Sequence, residues 1–238
     1  MYVWQVGLHK LRFTSFYTER GHKLQLSASD VALGVSALLE APTSLDSDLT
    51  DNWRKATAAL APTRWPDLRA GIQLSITQQR TLLSQAGMAL ARGMSQGGPK
   101  LFRCVDVGDS ASAMEASVLQ NPLALQRLAL FLFEETNAGK KRQRPMVVCA
   151  PVGLAADAAE DEARYVRIVG VTGRPQLTDT TYNHLQLSFL RAADACKALY
   201  RYPTFDPCVI DVRADMLTDF MDNLREVEWE RYQANLRG

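Results

Sequence analysis

The stretch Arg144-Pro145-Met146-Val147-Val148-Cys149-Ala150-Pro151 decides the fold. Met146 to Ala150 is a continuous apolar run, too short for a helix and without the polar alternation of a half-exposed strand. Such a run is expected of a strand covered on both faces. A sheet covered on both faces needs helices above and below, and the flanking sequence supplies them. Upstream, Leu101 to Val107 reads as a strand. Pro122 to Glu135 reads as a helix with Leu125, Leu128, Phe131 and Leu132 facing inward. Downstream come a strand over Tyr165 to Val171, an amphipathic helix over Leu185 to Tyr200, and a fourth strand over Cys208 to Val212. A last helix begins near Asp215 and carries Leu217, Phe220, Met221, Leu224 and Val227. Residues 98–238 are therefore expected to form an α/β domain, a small layered sheet of about four strands flanked by helices. Met146 to Val171 also fits an antiparallel pair joined by a long loop, so the sense of that pairing stays open.

The texture before Gly97-Gly98-Pro99 is different, and the main domain boundary is placed there, leaving residues 1–97 as a mostly helical region. Leu11 to Tyr17 and Lys23 to Leu26 read as two short extended pieces with a turn at Gly21. Ser27, with Asp30 three residues on, has the spacing that caps a helix start. Val31, Val35, Leu38 and Leu39 then share one helical face up to Pro42. A second helix spans Asp48 to Leu60, anchored by Trp53. The longest follows Pro66, a residue suited to the first turn of a helix. Leu68, Ile72, Ile76, Leu83, Ala86 and Leu90 mark its apolar stripe. Gly71 and Gly87 each cost about 1 kcal/mol there relative to alanine, which suits a close approach by a neighbour.

Composition narrows the function. The 238 residues carry 27 basic and 26 acidic side chains, so no global field draws the chain to nucleic acid. Cys104, Cys149, Cys196 and Cys208 lie far apart with no C-x-x-C pair, and read as free, mostly buried thiols rather than a zinc site or disulfide scaffold. There is no basic start followed by an apolar signal segment, and the longest wholly apolar run, Leu128 to Phe133, is too short to cross a bilayer. A soluble intracellular protein with no membrane partner is expected.

No arrangement of residues for catalysis stands out. His9, His22 and His184 are isolated from metal-ligand partners, and no P-loop, G-x-G-x-x-G, G-x-S-x-G or H-E-x-x-H motif occurs. Gly170-Val171-Thr172-Gly173 follows a strand but lacks the lysine and third glycine of a phosphate loop, so a plain turn is preferred. Asp206, Asp211, Asp215 and Asp219 cluster in sequence. Carboxylates so placed bind metal or do acid/base work, yet Asp215 and Asp219 also suit the positive end of a helix. Neither a catalytic residue, nor a metal, nor a cofactor is assigned. The candidates for partner binding are the basic run Lys140, Lys141, Arg142 and Arg144, the acidic run Asp157, Glu160, Asp161 and Glu162, and Trp229 with Tyr232 on the charged terminal helix. Capping the domain's own core is an equal use for that terminal helix.

Several stretches in order carry a family resemblance. They are Gly21-His22-Lys23 through Leu26-Ser27-Ala28-Ser29-Asp30-Val31 to Ser36-Ala37-Leu38-Leu39-Glu40; Gln78-Gln79 followed by Ser95-Gln96-Gly97-Gly98-Pro99; the basic run into Arg144 to Pro151, with Val169-Gly170-Val171; and Ser188-Phe189-Leu190-Arg191-Ala192-Ala193 with Phe205-Asp206-Pro207-Cys208-Val209-Ile210-Asp211-Val212. Together they resemble the C-terminal part of the cell division cycle 45 (CDC45-like) family of DNA replication initiation factors, relatives of the DHH phosphoesterases. The resemblance implies a DHH-associated-like domain after the end of a helical insertion. It also implies a nuclear, non-enzymatic helicase subunit that acts in replication initiation and the cell cycle. The partners it implies are the MCM helicase ring and the GINS complex, with single-stranded DNA at the fork reached through the assembly.

Active phosphoesterases carry a G-G-x-H type motif in the associated domain. Here Thr181-Tyr182-Asn183-His184-Leu185 lacks the glycines, so no substrate role passes to His184. The rival reading is the associated domain of a RecJ-like nuclease or phosphoesterase separated from its catalytic half.

Overall fold

The computed structural model describes residues 13–17, 22–41, 49–96, 101–107, 112–140, 143–152, 164–173 and 183–237. The chain divides into two compact units, Met1–Leu83 and Ser84–Gly238, with the division inside one long helix.

In the first unit, β1 (Phe13–Tyr17) and β2 (Lys23–Ser27) pair antiparallel. Ser27 ends β2 and caps α1 (Ala28–Leu39), its Oγ accepting from the Asp30 amide at 3.1 Å, as the capping spacing anticipates. Next come α2 (Leu49–Ala58) and α3 (Trp65–Arg92). Ala59 and Leu68 form the core here, with Val31, Val35, Leu38 and Ile72 packed around them. A Cβ on Gly71 would stand 2.8 Å from Leu38 Cγ, so this glycine does permit the close approach of α1, whereas Gly87 faces open space.

Two expectations fail in this region. Trp53 does not anchor α2 but is 65% exposed. The buried positions are Asn52, Ala56 and Ala59, and Asn52 donates to the Leu39 and Ala41 carbonyls at 3.4 and 2.9 Å. A face built to reach the end of α1 has no room for an indole. On α3, the expected stripe is only partly inward, because Ile76, Leu83 and Leu90 are exposed. Buried positions there include Gly71, Ser75, Gln78, Leu82, Gln85 and Ala89. Small and amide side chains share that register with Leu68 and Ala86, so hydropathy marks only part of the buried face.

The second unit is the expected layered α/β domain. Its strands are β3 (Ser95–Gln96), β4 (Arg103–Asp106), β5 (Met146–Val152), β6 (Tyr165–Val171), β7 (Tyr200–Arg201) and β8 (Val209–Arg213). They form one sheet in the order β3-β4-β5-β6-β8-β7. Only β4 and β5 run parallel, and β5–β6 is the antiparallel pair, with Met146 opposite Val171. The four strands legible in the sequence are the central four. Two-residue strands at each edge complete the sheet.

Five of the seven residues of β5 are buried, so the run that opened the reading is covered on both faces. Val147, Cys149, Val166, Ile168, Ile210 and Val212 face a core made with Leu185, Phe189, Phe220 and Leu224 of α6 (Leu185–Cys196) and α7 (Leu217–Arg237). The alternate residues point the other way, as strand geometry requires. α5 (Pro122–Asn137) packs against β5 and β6, and α4 (Ala113–Leu119) packs against α5. Phe189 and Phe220 lock α6 to α7, their rings tilted with centroids 6.1 Å apart, a pairing worth about 1 kcal/mol beyond the area it buries.

Two details depart from the sequence expectation. α4 was not anticipated, although Ser112 and Glu115 make a full capping box. α6 stops at Cys196 rather than Tyr200, because Lys197 adopts a left-handed backbone (φ 52°) and frees Tyr200–Arg201 to pair with β8.

Candidate partner-binding surfaces

The aspartates weighed for metal or acid/base chemistry do not converge. Arg167, Asp211 and Arg201 stand opposite one another across β6, β8 and β7. Asp211 is fully buried and takes Arg167 bidentately, Nε at 2.7 Å and Nη2 at 2.9 Å, and Arg201 Nε at 3.1 Å. Arg167 also donates to the Gln120 carbonyl, and Arg201 lies over the Tyr165 ring at 4.4 Å. Asp206 instead shapes its own loop and Asp215 pairs with Arg213. Among the described residues no group of three His, Cys, Asp or Glu side chains is placed to hold a metal ion.

Gly170 is required for packing. A Cβ there would come within 2.7 Å of both Leu185 Cδ1 and Phe189 Cζ, so the glycine lets α6 lie close on β6. The Gly170 carbonyl accepts from Asn183 Nδ2 at 3.0 Å, which fixes the approach to α6.

That approach brings His184 to α7. Its Nε2 lies 3.3 Å from Glu228 Oε2, and Ser188 Oγ donates to Glu228 Oε1 at 2.5 Å. Glu228 is only 4% exposed. Burial pushes its carboxyl up, but the neighbouring His184 imidazole, the Ser188 hydrogen bond and Arg231 outweigh this and hold it below the usual glutamate range. His184 therefore joins α6 to α7.

This anchor presents the terminal aromatics. Trp229 and Tyr232 stack with centroids 5.7 Å apart and planes at 23°. Tyr232 packs against the domain core, while Trp229 is 47% exposed and Leu236, two turns further, is exposed too. The helix thus caps the core on one side and leaves aromatic surface open on the other.

Of the basic run, Lys140 is exposed and Arg144 is half-buried, whereas Lys141 and Arg142 lie outside the described residues. The Asn137 side chain holds the Arg144 backbone at both its amide and its carbonyl, 3.0 Å each. Arg103 reaches the same corner and donates to Thr136 Oγ1 and Asn137 Oδ1. Burial and then the nearby Arg144 lower its pKa from the ordinary arginine value. The C-terminal end of α5 supplies the compensating negative potential. The acidic run 157–162 also lies outside the described residues, in the connection that leaves the opposite end of β5.

One surface went unread in the sequence. Between β7 and β8 the loop Tyr202-Pro203-Thr204-Phe205-Asp206-Pro207 holds Phe205 wholly in solvent, with Tyr202 and Leu199 also exposed. The loop is stiff. Asp206 Oδ1 accepts the Cys208 amide at 2.8 Å, its Oδ2 accepts Gln126 Nε2 at 2.5 Å, and its amide donates to Thr204 Oγ1 at 3.2 Å. Two aromatics, Tyr202 and Phe205, each followed closely by a proline, were the available signal.

The second unit is thus an α/β platform whose polar clusters are spent on its own framework and whose open features are aromatic. The family model for CDC45 matches residues 2–227, and the chain belongs to that family. It is 28% identical over 224 residues to a cell division control protein 45 homolog from Dictyostelium discoideum, covering 92% of this chain and 33% of that protein. Against the Homo sapiens homolog the identity is 25%, over 92% of this chain and 37% of the relative. The chain therefore spans about a third of the length of these relatives. The crystal structure of CDC45 from Entamoeba histolytica shares the fold, with a TM-score of 0.59 and 18% identity over 90% of this chain and 40% of that one.

Proposed function

We propose that this chain serves as a non-catalytic subunit of the eukaryotic replicative helicase in the nucleus, acting in initiation and elongation of DNA replication. It corresponds to the C-terminal part of the longer relatives, with a division near residue 97 between helical region and sheet domain. The observation that carries the reading is the family match over nearly the whole chain. The engagement of Asp206, Asp211 and Asp215 in structural bonds supports a scaffold rather than an active site.

Its partners in this reading are the MCM ring and the GINS complex, with single-stranded DNA contacted through the assembly. The α7 surface at Trp229 and the Phe205 loop are the contacts, since exposed aromatics on rigid supports are what binding hot spots are made of. The basic corner at Lys140 and Arg144 adds electrostatic steering.

Size-exclusion chromatography with purified GINS and MCM complexes tests this. Co-elution of the chain, reduced when Trp229 is replaced by alanine, is the expected result. Failure of the chain to co-elute with either complex overturns the reading.

A further inference from the structure

We propose that the corner between the end of α5 and the start of β5 binds a phosphoserine or phosphothreonine of a partner protein, with Arg103 of β4 as the base of the site. The site rests on, and deepens, the reading of this corner as a steering surface for a partner.

Arg103 is held ready for an anion. It is only 9% exposed, and its Nη1 is fixed by Thr136 Oγ1 at 2.9 Å and Asn137 Oδ1 at 3.0 Å. Both acceptors are neutral. The remaining edge, Nε and Nη2, makes no hydrogen bond among the described residues, yet neither nitrogen is sealed from solvent. Arg167 uses that same edge to take the Asp211 carboxylate bidentately. Arg103 therefore presents a fixed, largely desolvated fork with no anion on it, a shape that matches phosphate oxygens.

The surroundings add positive charge. Asn137 Oδ1 also accepts the Arg144 amide at 3.0 Å, and the Asn137 carbonyl accepts the Lys140 amide at 3.0 Å. One asparagine thus gathers all three basic residues. Neither Arg144 nor Lys140 pairs with a carboxylate among the described residues. Burial and then the like charge of Arg144 lower the Arg103 pKa, a cost that a bound anion relieves. The C-terminal end of α5 offsets only about half an elementary charge. A phosphate monoester brings about two negative charges, against one for a carboxylate.

A protein-borne phosphate fits better than a nucleic-acid strand. Single strands are held by aromatics that stack the bases along a basic groove. Phe102 and Phe133, beside this corner in sequence, are both buried, and 27 basic against 26 acidic side chains leave no surplus for an extended track.

The full chain is titrated with a short fluorescein-labelled peptide carrying phosphoserine between alanines, and binding is read by fluorescence anisotropy. Saturable binding is expected, weaker by about tenfold or more when serine or glutamate replaces the phosphoserine. Arg144→Gln, which removes no contact within the chain, should weaken it by about tenfold, and Arg103→Lys, which keeps the charge but not the fork, should do likewise. Arg191→Gln, on the exposed side of α6, should leave it unchanged. Absence of saturable binding overturns the proposal, as does equal affinity for the glutamate peptide or an unchanged affinity in folded Arg144→Gln. Tighter binding of a short oligothymidylate at the same residues overturns it in favour of nucleic acid. Co-elution with GINS or MCM is read separately, so either result can fail without the other.

Discussion

Ser188 Oγ donates to Glu228 Oε1 at 2.5 Å, across the contact between α6 and α7 and sealed from solvent. His184 closes on the other carboxylate oxygen, so one buried acid positions the helix that displays Trp229. Replacing Glu228 by alanine removes the shorter Ser188 hydrogen bond, leaving that hydroxyl its longer one to the His184 carbonyl at 3.3 Å. That should cost about 1–3 kcal/mol, the scale of losing a buried hydrogen bond to a charged group. Denaturant unfolding followed by far-UV circular dichroism reads this, and a loss under 1 kcal/mol would refute the anchoring role.

The same carboxyl sets a pH dependence. Its folded-state pKa lies below the ordinary 4.5, so its contribution is present above that value and lost as pH falls below it. The stability gap between wild type and Glu228→Gln should therefore narrow from pH 6 to pH 3. A gap that widens on acidification would contradict the assigned direction.

Gly170→Ala tests the seat of α6 on β6. The atoms nearest the added methyl belong to the Leu185 and Phe189 side chains, so a cost of about 1–3 kcal/mol from overpacking is expected rather than a failure to fold. A thermal midpoint unchanged from wild type would show that the helix shifts freely.

Asp211→Asn strips two arginines of their buried counter-charge at once. With Arg167 itself buried, the loss should reach about 3–5 kcal/mol. Asp215→Asn, whose carboxylate is exposed and pairs with Arg213, should change stability far less than Asp211→Asn. Equal effects of the two substitutions in chemical denaturation would undo the distinction drawn between buried ladder and surface pair.

Phe205→Ser should be silent in stability, within about 0.5 kcal/mol, because the ring touches solvent on all sides. If the loop is a contact, the same variant weakens co-elution with GINS or MCM. Full binding by a folded Phe205→Ser protein would leave α7 as the remaining aromatic contact.

The central strands and most helices were legible in the sequence because their signals are local. Met146 to Ala150 announces a covered strand, Ser27 with Asp30 announces a helix start, and the ordered stretches from Gly21 to Val212 pointed to the family. The short elements were not legible. α4 has seven residues and the edge strands two each, too few for any period to register.

Which side chains meet was decided only in three dimensions. Asp211 read as one of four clustered acids until pairing set Arg167 and Arg201 beside it from β6 and β7. Trp53 and Ile76 read as core, yet the buried registers of their helices carry asparagine, alanine, serine and glutamine. Hydropathy belongs to a residue, whereas burial belongs to two surfaces brought together. The sequence by itself determined the elements and the lineage, and tertiary packing decided that Glu228 is an anchor and Phe205 a projection.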